Sequence, residues 1–329
     1  MQFTSILGID VSKKTLDCFL HVQQKGIPPV SNDSKGFKTL LRWLKKELKT
    51  TDGLLVVMEY TGIYTYGIER YLEHCQIKFV KRPALDIKRS LGMIRGKSDR
   101  ADARFISKYG WLRREELQPM KPQSDRQVAL QQLMGHRDKL VADMASYKSK
   151  LKELSLQMGE KLNEKIASSM RFVMDVLQQE IRETETAIDL LIKEDNVLKT
   201  NYSLIQSVVG IGFATAVHLL IATENFTRFA DARKFTCYCG VAPFEHSSGT
   251  SIRGKTRTSH LANKKIKSLL TMAATSAIQH DPELKSKYRQ KVEEGKPKMS
   301  ALNIIRAKLL QRVFAVVRNQ QPYEIRIAA

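Results

Sequence analysis

Ser5-Ile6-Leu7-Gly8-Ile9-Asp10-Val11-Ser12 is the stretch whose reading decides the fold. A short apolar run bounded by polar turn residues reads as a buried strand, Ile6 to Asp10. Thr15 to Val22 reads as a second strand after the Lys13-Lys14 turn. Leu54-Leu55-Val56-Val57-Met58 repeats the pattern and ends on Glu59, and Ile77 to Val80 repeats it again before Pro83. Between the strands, Ser34 to Leu48 carries Phe37, Leu40, Leu41, Leu44 and Leu48 at helical spacing, and Ile63 to His74 reads as a helix. Strand, strand, helix, strand, helix, strand, helix over residues 1–110 predicts a mixed sheet with helices packed on it.

Two of these strands end on acids, Asp10 and Glu59, and two more acids stand three apart in Lys97-Ser98-Asp99-Arg100-Ala101-Asp102. A carboxylate at the tip of a buried strand is expensive to desolvate unless something positive binds it. A pair of divalent cations is the usual answer, and such a site handles phosphodiesters. The plainer alternatives are a turn or helix cap for each strand-tip acid, and a favourable helix dipole for Asp99 and Asp102.

Composition points to the same substrate class. The chain has 329 residues, with 55 Lys and Arg against 34 Asp and Glu, a net charge of +21. That excess predicts a polyanionic partner, nucleic acid ahead of acidic lipid or acidic protein. No apolar stretch reaches the roughly 20 residues of a membrane span, and the first residues lack a secretory signal, so a cytoplasmic, nucleoid-associated bacterial protein is expected. Cys18, Cys75, Cys237 and Cys239 offer no second pair to complete a zinc site and read as reduced thiols. Aromatic residues make up only 7%, which favours backbone contacts over base stacking.

From Asp125 to Lys199 apolar residues recur at threes and fours without a proline, as Leu130, Leu133, Met134, Leu140, Val141 and Met144 show. This predicts a long helical hairpin or coiled-coil arm over residues 125–200, a spacer or oligomer-forming element. Residues 201–329 read as a smaller, mainly helical domain. Within it, Val209-Gly210-Ile211-Gly212 joins two helix-like segments, as a turn or as a close approach to a phosphate. From His246 through His280 no acid occurs, while Arg253, Lys255, Arg257, Lys264, Lys265 and Lys267 do. One-signed charge among serines and glycines predicts phosphate contact. Ser300 to Val317 reads as a closing helix.

Gly8-Ile9-Asp10-Val11-Ser12 followed by a second strand resembles the opening of a RuvC-type, ribonuclease-H-like fold. With Glu59-Tyr60-Thr61-Gly62-Ile63-Tyr64, Lys97 to Ala103, Gly240-Val241-Ala242-Pro243 and Ser248-Gly249, the chain resembles the DEDD transposases of insertion sequences related to the pilin-gene invertases. That family includes the bridge-RNA-guided recombinases. The resemblance covers nearly the whole chain in the same order: RuvC-like domain, helical arm, transposase domain. It implies that Asp10, Glu59, Asp99 and Asp102 hold Mg²⁺ or Mn²⁺, and that Ser248 attacks the scissile phosphate. Ser247 stands beside it as the alternative, and the Ser-Gly pairing favours Ser248. Arg95, Lys97 and Arg100 would neutralise backbone phosphates. Leu261-Ala262-Asn263 replaces the glycine-asparagine pair common before the final basic helix, a departure that touches DNA contacts.

A serine hydroxyl needs deprotonation or a lowered pKa to attack. Serine attack would leave a phosphoserine link that conserves bond energy for rejoining. Ser248 lies far from Asp10 in sequence, so a composite site is required, within one protomer or between two. The expected partners are donor and target DNA and a non-coding bridge RNA, with the protein as homodimer or homotetramer. The rival readings are a RuvC-like junction nuclease or unguided invertase cutting with water, and a non-catalytic scaffold.

Overall fold

One central strand carries both halves of the sheet. The structure, a computed structural model, describes residues 3–90, 99–157, 160–229, 231–248 and 252–325, with the side chains at 99–100, 155, 157, 160–163, 245–248 and 252–256 outside the description. The chain divides into two compact units, Met1–Gln123 and Ser124–Ala329.

In the first unit, β1 (Ser5–Val11) pairs antiparallel with β2 (Thr15–Leu20), which pairs with β3 (Lys25–Ser31). On its other side β1 runs parallel to β4 (Leu54–Glu59), and β4 to β5 (Lys78–Arg82), giving the order β3-β2-β1-β4-β5. This is the expected mixed sheet, with one strand more than the sequence suggests. β3 contains Pro28 and Pro29, which argue against a strand in isolation; at a sheet edge, where the missing N–H groups can face outward, proline is tolerated.

Alternation sorts the strand residues onto two faces. Leu7, Ile9, Leu16, Val56, Met58 and Phe79 pack with Leu40 and Leu44 of α1 (Ser34–Leu48) and Ile68 of α2 (Tyr66–His74). A short 3-10 turn, Gly62–Thr65, leads into α2. The other face, with Ile6, Leu55, Val57 and Val80, meets Ile87 of α3 (Ala84–Ser90) and Ile106 and Tyr109 of α4 (Asp99–Leu112). Each such side chain, fully withdrawn from water, contributes about 1.5–3 kcal/mol before chain entropy is counted.

The second unit opens with α5 (Asp125–Gln157) and α6 (Glu160–Lys193). Arg126 pairs with Glu194 and Asp195, Arg137 with Glu185, and Leu140 and Met144 pack with Ile181. Numbers rise along one helix as they fall along the other, so the two form an antiparallel hairpin. Its base is sunk in a core: Leu130, Met134, Ile188 and Ile192 join residues of α7 (Asn196–Gln206), α8 (Phe213–Thr223) and α9 (Ala232–Tyr238). After a two-stranded hairpin, β6 (Pro243–Ser248) and β7 (Ile252–Thr258), come α10 (Lys264–His280), α11 (Pro282–Glu293) and α12 (Lys298–Asn319), which complete that core.

Gly210, in the turn between α7 and α8, has φ +92° and faces α10 so closely that a Cβ would stand 2.4 Å from the Ala273 carbonyl oxygen. This glycine therefore serves helix packing within the unit. Among the described residues no helix is long and apolar enough to cross a membrane.

Candidate active site

The register of β1 with β4 runs from Ser5 opposite Leu54 to Ile9 opposite Met58, so the next residues, Asp10 and Glu59, stand side by side. Neighbouring strands lie roughly 4.8 Å apart, and in-register parallel partners project to one face. For Asp10 and Glu59 that face is the one shared with Ile6 and Gly8, and with Leu55 and Val57, beneath α4. Both acids are half-exposed.

Two glycines show how α4 lies on this face. A Cβ on Gly8 would meet the Ala103 carbonyl oxygen at 2.3 Å and the Ser107 nitrogen at 2.4 Å. A Cβ on Gly110 would meet Ile6 Cγ2 at 2.7 Å and Val57 Cγ2 at 2.6 Å. Helix numbers thus fall from 110 to 103 as the strand advances from residue 6 to 8. The N-terminal end of α4, with Asp102 and then Asp99, is directed toward the end of β1 that carries Asp10. Asp102 is half-exposed. Asp99 opens the helix backbone, and its side chain and that of Arg100 lie outside the described residues, as do Arg95 and Lys97 altogether.

Strand pairing adds two residues that the sequence did not single out. Asp17 stands opposite Asp10 in the antiparallel register of β1 and β2 and is buried. Carboxylates directly opposite on one face repel, and a bound cation offsets that repulsion. Burial, with the Asp17 charge second, pushes the neighbouring Cys18 thiol well above its ordinary range. Arg82 is in register with Glu59 on the same face, a cation on the far side of that acid. Either residue could be found only from the pairing, because nothing local distinguishes Asp17 or Arg82 from other strand residues.

The donors on this face are all carboxylate oxygens, which suit a hard divalent cation such as Mg²⁺ or Mn²⁺. Two of them are brought together by strand register alone, so the residues fit such an ion. Among the described side chains no three acids, histidines or cysteines close into a ligand set.

In the second unit, the segment read as a basic loop is the β6–β7 hairpin, with a register from Pro243 opposite Thr258 to Ser248 opposite Ile252. Ser248 is the last residue of β6, and Ser247 stands opposite Arg253. Arg253, Lys255 and Arg257 occupy alternate positions of β7, and Arg257 is exposed. Gly240, at φ +64°, lies where a Cβ would sit 2.2 Å from Ala262 Cβ, which ties the Gly240-Val241 turn to the start of α10. Asn263 caps α10, its side-chain oxygen accepting from the Ile266 N–H at 3.0 Å. In this chain Leu261-Ala262-Asn263 is therefore a packed helix start.

Lys264 is exposed at the first turn of α10, but Lys265 is engaged: its ammonium lies 2.8 Å from Asp138 Oδ2 of α5. The same oxygen is 3.0 Å from His218 Nε2 of α8. Burial outweighs the Asp138 charge and lowers the His218 pKa, which keeps the imidazole neutral near pH 7. In this ion pair the Lys265 charge is partly offset by Asp138. Described cysteines are all free thiols, with Cys18 and Cys239 buried.

The carboxylates thus belong to the first unit, and Ser248 and the basic stretch to the second. Comparison with known proteins matches two stretches of the chain. Residues 7–158 match the DEDD transposase family pattern of IS110 elements, and residues 202–289 match the family described as "Transposase IS116/IS110/IS902 family". The chain is 28% identical over 327 residues to the "Pilin gene-inverting protein" of Moraxella bovis, and 27% identical over 327 residues to that of Moraxella lacunata. Each alignment spans 98% of both chains. A protein of insertion element IS110 from Streptomyces coelicolor is 30% identical over 126 residues, 38% of this chain and 31% of that protein.

Proposed function

Since the chain belongs to the IS110 family of DEDD transposases and is a DNA transposase/recombinase, we propose that it cuts and exchanges DNA strands by a metal-assisted attack of Ser248, guided by a non-coding bridge RNA. The family implies dependence on a divalent metal. Asp10, Glu59, Asp99 and Asp102 would hold Mg²⁺ or Mn²⁺, which when bound stabilises charge on the phosphate and the leaving oxygen. The observation that carries this reading is the shared face of Asp10 and Glu59, with the N-terminal end of α4 directed toward it.

The Ser248 hydroxyl loses its proton and its oxygen forms a bond to phosphorus, while the bond from phosphorus to the departing deoxyribose oxygen breaks and that oxygen is protonated. One ester replaces another, so rejoining runs the same exchange backward with no external energy source. Arg95, Lys97, Arg100, Arg253, Lys255, Arg257 and Lys264 neutralise backbone phosphates, and Lys265 does so with its charge partly offset by Asp138. Specificity comes from base pairing with the RNA, while the protein reads backbone and shape. The α5–α6 hairpin acts as a coiled-coil arm that joins protomers into a homodimer or homotetramer.

The full-length likeness to pilin gene-inverting proteins favours a second reading, an unguided invertase or a nuclease that hydrolyses DNA with water. Two experiments separate them. Ser248→Ala should abolish cleavage and remove a protease-resistant DNA–peptide adduct; continued cutting means water is the nucleophile. One structured RNA copurifying through a high-salt wash supports guidance, and random fragments or none support the unguided reading.

A further inference from the structure

Past the strand ends that hold Asp10 and Glu59, the first unit displays large side chains to solvent: Tyr60 is 40% exposed, Ile63 63% and Tyr64 40%. Isolated exposed apolar residues are ordinary, but these three follow Glu59 within one short segment and that segment is anchored at three points. The Tyr60 N–H donates to the Arg82 carbonyl at 3.0 Å, which holds the chain against β5. The Asn32 side-chain amide donates to the Tyr64 carbonyl at 3.0 Å and to the Ser12 carbonyl at 2.9 Å. The third anchor is Lys81, whose ammonium lies 4.8 Å from the centre of the Tyr60 ring.

Lys81 is an unusual anchor because it is buried. Its ammonium is 2.8 Å from Glu69 Oε1, and the Thr65 hydroxyl donates to that same carboxylate oxygen. The two side chains are only 6% and 3% exposed. A pair this deep gains little net stability over apolar residues of similar size. What it does here is fix a cation, on the sheet face opposite the acids, against one aromatic ring that stays open to solvent one residue past Glu59. Cation and ring attract, and the attraction strengthens where the cation is desolvated.

We propose that Tyr60, held by Lys81, is a stacking platform for an unpaired nucleobase of the strand that enters the carboxylate site; the inference rests on that site being where DNA is cut. Every base offers a π-face, so an aromatic ring recognises unpaired strands without regard to sequence. Strand exchange requires unpaired bases next to the cut, and Tyr60 is the residue immediately after Glu59. The Ser12–Thr15 turn, tied to Tyr64 through Asn32, carries exposed Lys13 and Lys14, which suit the phosphates of the same strand. A mixed surface of aromatic rings and lysines fits a nucleic-acid strand better than a protein partner, since lysine is depleted at protein interfaces. The low overall aromatic content does not oppose this, since one platform needs one or two rings.

The test uses the full-length protein and single-stranded oligothymidine bearing 5-iododeoxyuridine, which crosslinks to stacked aromatic side chains under long-wavelength ultraviolet light. Crosslinked peptides are then mapped by mass spectrometry. The expected adduct lies on Tyr60. Tyr60→Ala should weaken binding of unpaired oligothymidine about five- to a hundredfold and leave duplex binding nearly unchanged, while Tyr60→Phe and Tyr60→Trp retain it. Lys81→Met combined with Glu69→Leu, which removes the buried pair without stranding either charge, should give an intermediate loss, with the ring present but released. Adducts only elsewhere, or equal affinity of Tyr60→Ala and wild type, would overturn the proposal and leave the patch to a protein partner. Neither readout needs cleavage. A Tyr60 adduct together with an Asp10→Asn variant that still cuts would sink the carboxylate reading alone, and no Tyr60 adduct with an inactive Asp10→Asn would sink the platform alone.

Discussion

Gly8→Ala should unseat the helix that carries half of the proposed metal site. The added methyl would lie 2.3 Å from the Ala103 carbonyl oxygen and 2.4 Å from the Ser107 nitrogen, both backbone atoms that no rotamer change can move. Ordinary contact begins near 3.4 Å, so α4 must withdraw by about 1 Å, the difference between the two distances. Overpacking of this kind costs about 1–3 kcal/mol. The same displacement carries Asp99 and Asp102 away from Asp10 and Glu59, and misplacement of reacting groups by about 1 Å lowers rates about 10²-fold. The chain's two tryptophans, Trp43 and Trp111, both lie in the first unit, so tryptophan fluorescence during urea unfolding follows that unit alone. The expected result is a lower midpoint by that route, with metal-dependent DNA cleavage reduced about a hundredfold under conditions where the variant is still folded. Gly135→Ala is the opposite case: it is helical with no heavy atom within 4 Å of the new methyl, and should stabilise the second unit by about 0.5–1 kcal/mol in far-ultraviolet circular dichroism. Wild-type stability and wild-type cleavage in Gly8→Ala would refute the placement of α4 against β1.

Other perturbations test other parts of the molecule. Asp10→Asn and Glu59→Gln should each abolish cleavage and remove the rise in melting temperature that Mg²⁺ or Mn²⁺ confers on the wild type by binding the folded state; an unchanged metal-induced rise would place the ion elsewhere. Glu69→Leu should destabilise the first unit by about 3–5 kcal/mol by stranding the Lys81 ammonium, and Lys81→Met in the same chain should recover most of that loss in denaturant titrations. Asp195→Ala, which removes the cap that accepts the Leu198 N–H at 2.9 Å, should cost about 1 kcal/mol in the second unit. Burial lowers the His218 pKa below 6.5, so between the two values the unfolded chain binds more protons than the folded one. The stability of the second unit should therefore be full above pH 6.5 and decline as pH falls through the folded value, and His218→Asn should flatten that decline in acid titrations.

Much of the chain was legible without coordinates because its elements are locally marked. The helix Ser34–Leu48 is bounded as its apolar spacing suggests, and the uninterrupted heptad-like run from Asp125 becomes the α5–α6 hairpin. The elements that escaped are those whose local signal contradicts their state. β3 holds two prolines that only an edge position tolerates. The β6–β7 hairpin is built from Pro-Phe-Glu-His-Ser-Ser and a strand of alternate basic residues, with no apolar alternation to announce it.

For the candidate site the division is sharper. Sequence alone determined that Asp10 and Glu59 lie at the ends of buried strands, because an apolar run that meets an acid is a local pattern, although β1 continues one residue further to Val11. It also determined that the chain is a strongly basic partner for a polyanion. Only the tertiary structure decided that these two acids are neighbours on one face, that Asp17 and Arg82 flank them, and that α4 points its acidic end toward them. Only the fold, likewise, tied Lys265 to Asp138 and set Tyr60 over a buried lysine. Strand endings are written in short-range polarity, whereas register and helix placement are settled by packing between residues far apart in the chain, which a one-residue slip would turn to the opposite face.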